Sequence, residues 1–255
     1  MVQSNPSEKQ EDNHWFGFEK VSAAEKTARV KGVFNNVAKK YDLMNDIMSL
    51  GIHRLWKNKL MNQMRAKAGD ILLDVAGGTG DIGFRFIRDY PDTKVIFCDL
   101  NENMLKVGRD RAYDKGILNG VEWVVGNAES IPLPSNSVDF YTIAFGFRNV
   151  THREAALKEA LRVLKPGGRF FCLEFSHLSL PVLQKLYDQY SFHLLPLMGK
   201  VFASDAESYQ YLAESIRQFP RADELKKLIE EAGFYSVSYE LHMQGIAALH
   251  KGWKV

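Results

Sequence analysis

The sequence predicts an α/β fold in which a doubly wound, mostly parallel sheet of seven strands forms the centre. Short apolar runs alternate with helical segments from Asp70 onward, and this alternation implies parallel strands joined by right-handed crossovers. A glycine-rich loop follows the first apolar run directly, and two further runs close the chain. The chain has 255 residues, 45% of them hydrophobic, which is enough to bury one large core.

Each strand of the sheet is predicted from one apolar run. The first five runs cover residues 71–75, 95–98, 122–125, 140–144 and 169–174. A helix ends in a Pro-Gly turn just before the fifth of them, at residues 161–169. The closing strands are predicted at residues 236–241 and 246–253, after a helix at about residues 222–232. Gly233 follows that helix and predicts a left-handed cap.

Three segments lie outside this pattern. Residues 1–13 are polar and are predicted to be disordered. Residues 14–66 are predicted to form a helical extension, because apolar side chains recur at helical spacing from Phe34 to Met48 and a second helix follows at about residues 54–64. Residues 67–255 form the main domain. Within it, residues 176–220 are too long and too apolar for a plain loop, so we expect helices that cover the site.

Charge and composition exclude several kinds of function. The 33 basic and 31 acidic residues leave a net charge of +2, so no field favours nucleic acid as a partner. Cys98 and Cys172 lie in apolar runs and are predicted to be buried free thiols, as suits a reducing compartment. No histidines show metal-ligand spacing. Without a signal-peptide pattern or an apolar run of about 18 residues, we expect a cytoplasmic protein that can contact the inner face of a membrane.

The glycine-rich loop at residues 74–81 is the predicted cofactor site. Gly77, Gly78 and Gly80 allow the backbone to turn sharply and to approach a ligand closely, with N–H donors of the following helix nearby. With Gly83, the same residues also fit the dinucleotide pattern G-x-G-x-x-G, which is weak by itself.

Polar residues after three strands favour S-adenosylmethionine over a dinucleotide. Asp74 closes the first strand, where a carboxylate repels a pyrophosphate but can hold the ammonium of an amino-acid moiety. Asp99 ends the second strand and can accept hydrogen bonds from ribose hydroxyls. Asn127 and Ala128 follow the third strand at the height of an adenine ring. A helix-capping role for Asp99 and an Asx turn at Asn127 are the structural alternatives.

Motifs outside the loop resemble one family. They are YDLMND at 41–46, GIHRLWK at 51–57, GFRNV at 146–150, LEFS at 173–176, YSFH at 190–193 and DAESY at 205–209. Together with the loop, these runs closely resemble the UbiE-type C-methyltransferases of ubiquinone and menaquinone biosynthesis. The similarity extends from about Phe16 to the C-terminus. The loop marks only the superfamily, whereas the N-terminal helix pair and the Arg148-Asn149 motif are specific to this family.

This resemblance implies a Rossmann-like methyltransferase that transfers a methyl group from S-adenosylmethionine to a ring carbon of a polyprenylated benzoquinol. In some members it implies demethylmenaquinol as a second acceptor, and it suggests a homodimer. It also implies cofactor contacts at Thr79, Asp99, Asn127 and Ala128. Ala144 is a further cofactor-side position where members often carry serine, so only a backbone contact is expected there.

Candidate catalytic residues follow from the chemistry of the acceptor. A hydroquinol becomes far more nucleophilic once a hydroxyl with a pKa of about 10 ionises. Arg148 is expected to stabilise the oxyanion, or to order a water that takes the proton, and Asn149 to orient the ring; a salt bridge at a strand end is the alternative for Arg148. Tyr41 and His53 are candidates to line the acceptor pocket or to relay the proton, and residues 14–66 are accordingly predicted to be a helical extension of the acceptor site. Alternatively, Tyr41 is a core-edge aromatic and His53 a helix-capping residue.

Other interpretations remain open at this point. The chain can be a methyltransferase for a sterol or another lipid, a NAD-binding oxidoreductase, or a silent cofactor-binding scaffold of a quinone-synthesis complex. The aromatic residues of the insertion form either a tunnel for an isoprenoid tail or an ordinary core or dimer contact. Trp56, with Arg54, Lys57 and Lys59, either docks on anionic lipid or belongs to a solvated helix face.

Overall fold

The computed structural model describes residues 14–37, 45–46, 49, 51–178 and 206–255. The strands are β1 (His14–Phe16), β2 (Glu19–Val21), β3 (Ile71–Val75), β4 (Lys94–Asp99), β5 (Val121–Val125), β6 (Val138–Ala144), β7 (Leu164–Phe175), β8 (Tyr235–His242) and β9 (Ala247–Trp253). The α-helices are α1 (Ala23–Val37), α2 (His53–Met64), α3 (Asp81–Asp89), α4 (Glu102–Asp114), α5 (Arg153–Val163), α6 (Ala206–Arg217) and α7 (Ala222–Glu231).

Seven strands form one sheet in the order β5-β4-β3-β6-β7-β9-β8. The strands from β5 to β7 pair in parallel, whereas β9 pairs antiparallel with both β7 and β8. Chain order reverses at β3, which lies between β4 and β6, and ligands of doubly wound sheets bind at such a point. The predicted fold class is confirmed.

The sheet is covered on both faces because its central strands are apolar on both sides. Successive side chains of a strand point to opposite faces. Leu72 of β3 therefore joins one core with Trp56 of α2, and Leu73 joins the other core with Leu225 of α7. Cys172 belongs to this second core as a buried free thiol, as predicted.

The N-terminal extension differs from the prediction. A hairpin, β1–β2, comes first, and α1 begins at Ala23, well before the predicted start near Phe34. Three-residue strands are too short to show a period, and the largely exposed surface of α1 hides its apolar stripe. The run at residues 38–44, which includes Tyr41, lies outside the described residues.

Two other boundaries depend on local backbone geometry. Strand β7 begins at Leu164, earlier than predicted, because its pairing with β6 continues across a register shift at the Pro-Gly turn. Gly233 has φ +104°, which confirms the left-handed cap after α7. Of the insertion, only its first residues and α6 are described, and residues 179–205 lie outside. Among the described helices, none combines the length and apolar character needed to cross a membrane.

Candidate functional site

The glycine loop connects β3 to α3 at the carboxyl edge of the sheet. Gly78 and Gly80 have φ of +50° and +87°, in the left-handed region that favours glycine. A Cβ at Gly80 would lie 2.6 Å from the ring of Phe84, so a larger residue has no room there. The loop therefore requires glycine for both its conformation and its packing.

Asp74 lies beneath the loop and is 1% exposed. One carboxylate oxygen accepts a hydrogen bond from Thr142 Oγ1 at 2.9 Å, and the other accepts from the backbone N–H of Gly83 at 3.2 Å. Burial nevertheless raises the pKa of Asp74 to about 7. A ligand cation beside this carboxylate would favour its ionised form.

Asp99 fastens the loop to the end of β4. Its carboxylate accepts hydrogen bonds from the backbone N–H groups of Gly78 at 2.9 Å and of Asn101 at 2.8 Å. Desolvation raises the pKa of Asp99 to about 6 despite these two bonds. Asp99 thus fixes the backbone, and it also lines a cavity beside the loop.

Two cavities lie on either side of a shared wall. The larger, of about 100 Å³, is lined by Asp99, Asn127 and Ala128, and α1 covers it with Phe34. The smaller cavity, of about 20 Å³, is lined by four other predicted cofactor residues: Asp74, Gly77, Thr79 and Ala144. Gly78 and Gly80 line neither cavity. The carboxyl edge of the sheet therefore brings most of the predicted cofactor set together. Asn127 also forms the Asx turn, since its Oδ1 accepts from Glu129 N at 3.0 Å.

The wall between these cavities is strained. Ala76 and Phe145 line both cavities, and each has a positive φ, of +50° and +56°. A Cβ at Gly146 would lie 2.5 Å from the Cβ of Ala76, so glycine is needed where the two loops touch. A side chain at position 146 would therefore push the two loops apart and displace the residues that line both cavities.

Lys57 is a site residue that sequence reasoning missed. Its Nζ lies 2.8 Å from Asp81 Oδ2 and 5.6 Å from the ring centroid of Phe145, and it lines the smaller cavity. Burial alone would raise the pKa of Asp81, but Lys57 and Arg85 hold it at about 2. Both sequence interpretations of this segment, lipid docking and a solvated face, are wrong for Lys57 and Trp56, which are 4% and 3% exposed. The helix turns them inward.

Arg148 is 2% exposed and forms a salt bridge with Glu174. A salt bridge at a strand end was the alternative interpretation of this residue. Its Nη1 lies 2.8 Å from Glu174 Oε1 and donates to the carbonyl of Phe145 at 2.6 Å. Its Nε and Nη2 are buried and find no hydrogen-bond partner in the described part of the chain. Its side chain lines a separate cavity and not the two beside the loop. In the described part of the chain, Arg148 therefore stabilises the strained segment at Phe145 through a hydrogen bond and lies outside the two cavities.

Asn149 lies in the larger cavity and is oriented by Tyr211 of α6. The Tyr211 hydroxyl donates to Asn149 Oδ1 at 2.9 Å. Burial raises the pKa of Tyr211 above its usual range, so this hydroxyl stays protonated and remains a donor. Among the described residues, the amide nitrogen of Asn149 has no hydrogen-bond acceptor. Sequence reasoning missed Tyr211, because its contact with Asn149 joins residues 62 positions apart.

His53 is not brought to the cavities formed by the described residues. It is 3% exposed, and its Nδ1 lies 2.8 Å from Ser49 Oγ, which also accepts from His53 N at 3.2 Å. Burial and the neighbouring Lys57 lower the pKa of His53 to about 4, so the ring is neutral at pH 7. These contacts fit a residue at the start of α2, and the relay role of His53 stays a prediction.

Comparison with known proteins places this site in a family. The model of the ubiE/COQ5 methyltransferase family matches residues 22–254. The chain belongs to this family. A relative from Homo sapiens is 49% identical, over 94% of this chain and 84% of the relative. One from Bos taurus is also 49% identical, over 97% and 86%. Both are named 2-methoxy-6-polyprenyl-1,4-benzoquinol methylase, mitochondrial.

Solved structures agree with the fold. A SAM dependent methyltransferase from Aquifex aeolicus has a TM-score of 0.56 at 20% identity, covering 78% of this chain and 89% of its own. At that identity the match shows the Rossmann-like fold alone. Family membership confirms that the chain is a methyltransferase and that its cofactor is S-adenosylmethionine. The dinucleotide oxidoreductase interpretation is thereby excluded.

Proposed function

We propose that this methyltransferase transfers a methyl group to a ring carbon of 2-methoxy-6-polyprenyl-1,4-benzoquinol in ubiquinone biosynthesis. The names of the relatives support this acceptor. The structural observation that carries the proposal is Asn149, whose amide lies in the cofactor cavity in an orientation fixed by Tyr211. Methylation of demethylmenaquinol stays a prediction.

The residues around the two cavities suit S-adenosylmethionine, which supplies an electrophilic methyl group on a sulfonium. Asp99, Asn127 and Ala128 would hold the adenosine part in the larger cavity. The residues of the smaller cavity suit the amino-acid part, since the carboxylate of Asp74 would face its ammonium and Lys57 would face its carboxylate. Thr79 and the backbone of Ala144 complete this end.

Asn149 can stabilise the charge that activates the acceptor. Its amide N–H groups have no acceptor among the described residues, and they are donors for a ring oxygen as the hydroxyl ionises. Bound S-adenosylmethionine would supply its methyl group to the electron-rich ring carbon and leave as S-adenosylhomocysteine, and the ring carbon would pass its proton to water to restore aromaticity. That Arg148 stabilises the oxyanion or orders the accepting water stays a prediction.

Replacing Tyr211 by Phe should lower kcat about tenfold, since one lost hydrogen bond releases the amide of Asn149. Cofactor affinity should change little, because Tyr211 does not line the cofactor cavities. The control is Tyr113→Phe on a side chain that is 71% exposed. Combining Tyr211→Phe with Asn149→Ala should cost no more than Asn149→Ala alone. Additive losses in that double-mutant cycle would contradict the role of Tyr211.

Cofactor affinity should rise with pH up to about 7. The raised pKa of Asp74 means that its carboxyl is protonated below pH 7 in the free protein, and an ammonium must then displace that proton. Affinity should therefore fall by up to about tenfold per pH unit below 7. Calorimetry from pH 6 to 8 measures this change, and Asp74→Asn should remove the inflection near pH 7. An unchanged profile in that variant would contradict the assignment.

Turnover of defined acceptors tests the proposal. Purified protein is incubated with methyl-labelled cofactor and a short-chain 2-methoxy-6-prenyl-1,4-benzoquinol, and in parallel with a short-chain demethylmenaquinol and a sterol. We expect label in the benzoquinol. Cofactor binding without methylation of any quinol would indicate a scaffold of a quinone-synthesis complex instead. Label in the sterol alone would indicate a different lipid acceptor.

The location of the protein in the cell and its partners are separate questions. The relatives are named mitochondrial, which describes those proteins. The cytoplasmic location, peripheral membrane contact, homodimer and quinone-synthesis complex stay predictions. So does the assignment of residues 14–66 to the acceptor site, which is supported by the part of α1 that covers the cofactor cavity.

A further inference from the structure

A second cavity of about 100 Å³ lies behind the turn Phe147–Asn149. It is enclosed by the β1–β2 hairpin, α1, the start of α5 and α6. Of the residues that line it, only Thr151 also lines the cofactor cavity. This cavity is therefore separate from the site described above.

Three cationic side chains line the second cavity, namely Lys26, Arg148 and Arg153. The Nε and Nη2 of Arg148 are buried and have no hydrogen-bond partner among the residues that the structure describes. The Nε of Arg153 is also buried without one. Buried N–H groups normally have partners, so three unsatisfied donors around one cavity point to a ligand that accepts hydrogen bonds.

The described residues that line this cavity include no aspartate or glutamate, and the nearest carboxylates already accept other hydrogen bonds. The oxygens of Glu174 are bonded to Arg148 and to the backbone N–H of Phe175. Glu129 lies near Lys26, but its Oε1 accepts from the backbone N–H groups of Thr151 and His152 at 2.9 and 3.0 Å. Glu214, beside Gly17, accepts from the backbone N–H of Phe18 and from Gln210 Nε2. None of these three carboxylates is bonded to Lys26 or Arg153.

Lys26 is a buried cation beside this cavity. It is 4% exposed, and among the described residues its Nζ donates only to the carbonyl of Val150, at 3.1 Å. Burial and the charge of Arg153 lower the pKa of Lys26 to about 8, against an opposing effect of Glu129. A buried cation without a counter-ion is costly, and a bound anion would remove that cost.

We propose that the second cavity binds a small oxyanion, specifically a phosphate group. Arginine N–H groups suit phosphate oxygens in geometry and charge, and Lys26 adds a third cation. The phosphate can be a free ion or part of a lipid headgroup. Trp15 and Phe18 of the adjoining hairpin are 42% and 50% exposed, where they would meet a lipid surface. This site goes beyond the proposed methyl transfer and does not depend on its acceptor.

Titration with inorganic phosphate tests the site. The protein is first saturated with S-adenosylhomocysteine, so that phosphate does not enter the cofactor cavity. Calorimetry then compares the unmodified chain with Lys26→Met, Arg153→Gln and the control Lys67→Met, whose side chain is exposed. Binding should be saturable and should weaken at least about tenfold in each cavity variant, with no change in the control. Circular dichroism and S-adenosylhomocysteine affinity report whether each variant is folded.

Absence of saturable phosphate binding, or equal binding in all four proteins, would overturn the proposal. Vesicles of phosphatidylcholine with and without phosphatidic acid distinguish the two sources. Loss of phosphatidic-acid-dependent sedimentation in Lys26→Met and Arg153→Gln identifies a lipid headgroup. Sedimentation that is the same in all four proteins, together with the expected phosphate result, identifies a free ion. Methyl transfer is measured separately, so failure of this proposal is distinguishable from failure of the proposed function.

Discussion

Replacing Glu174 by Ala should lower the free energy of unfolding by about 3–5 kcal/mol, because the substitution leaves the charge of Arg148 buried and unpaired. Both side chains are essentially inaccessible, at 0% for Arg148 and 1% for Glu174. Glu174 also accepts hydrogen bonds from the backbone N–H groups of Arg148 and Phe175, at 3.2 and 2.9 Å. These donors would lose their acceptor as well. Urea denaturation measures the change.

A double variant separates the cost of the unpaired charge from that of lost packing. Arg148→Met with Glu174→Gln removes both charges, keeps the side-chain volumes similar and leaves an amide oxygen as acceptor for the backbone. Its free energy of unfolding should lie within about 2 kcal/mol of the unmodified value, since neutral replacements of buried ion pairs are tolerated. The explanation fails if Glu174→Ala is as stable as the double variant.

Turnover of the same double variant should fall by roughly 10²–10³, the loss expected when a preorganised donor arrangement is disrupted. Arg148 holds the carbonyl of Phe145, at the strained wall between the cofactor cavities, and Asn149 follows it directly. Losing that contact should loosen the position of the Asn149 amide. Single-turnover kinetics measure the effect on the methyl-transfer step.

Cofactor affinity of the double variant should stay within about threefold, because Arg148 does not line the cofactor cavities. Glu174→Asp is the matched control, since it keeps Arg148 and a counter-charge for it. Near-normal turnover of the double variant would show that Arg148 has no role in the reaction. Weaker cofactor binding with unchanged turnover would assign Arg148 to the cofactor instead.

The sheet, and the clustering of most predicted cofactor residues at its carboxyl edge, could be predicted because their signals are local in the chain. Buried parallel strands are short continuous apolar runs, and 71–75 became β3 without change. Asp74, Asp99 and Asn127 each follow or end a strand, and the parallel topology alone brings such residues to one edge.

Other features depend on packing between distant segments and left no local signal. Lys57 looks like an ordinary helix-surface lysine until α2 packs its face against the loop and pairs it with Asp81. Tyr211 acquires its role only when α6 lies against the turn that carries Asn149. The partner of Arg148, Glu174, lies 26 residues away on the next strand. Each of these contacts is a property of the tertiary structure.

The position of the transferred methyl group tests the central proposal most directly. The protein is incubated with cofactor carrying a ¹³C-methyl group and the short-chain 2-methoxy-6-prenyl-1,4-benzoquinol, and the product is analysed by NMR. We expect the label as a methyl on a ring carbon, with the loss of one ring proton. Label on a hydroxyl oxygen, as a new methoxy group, would contradict the proposed reaction.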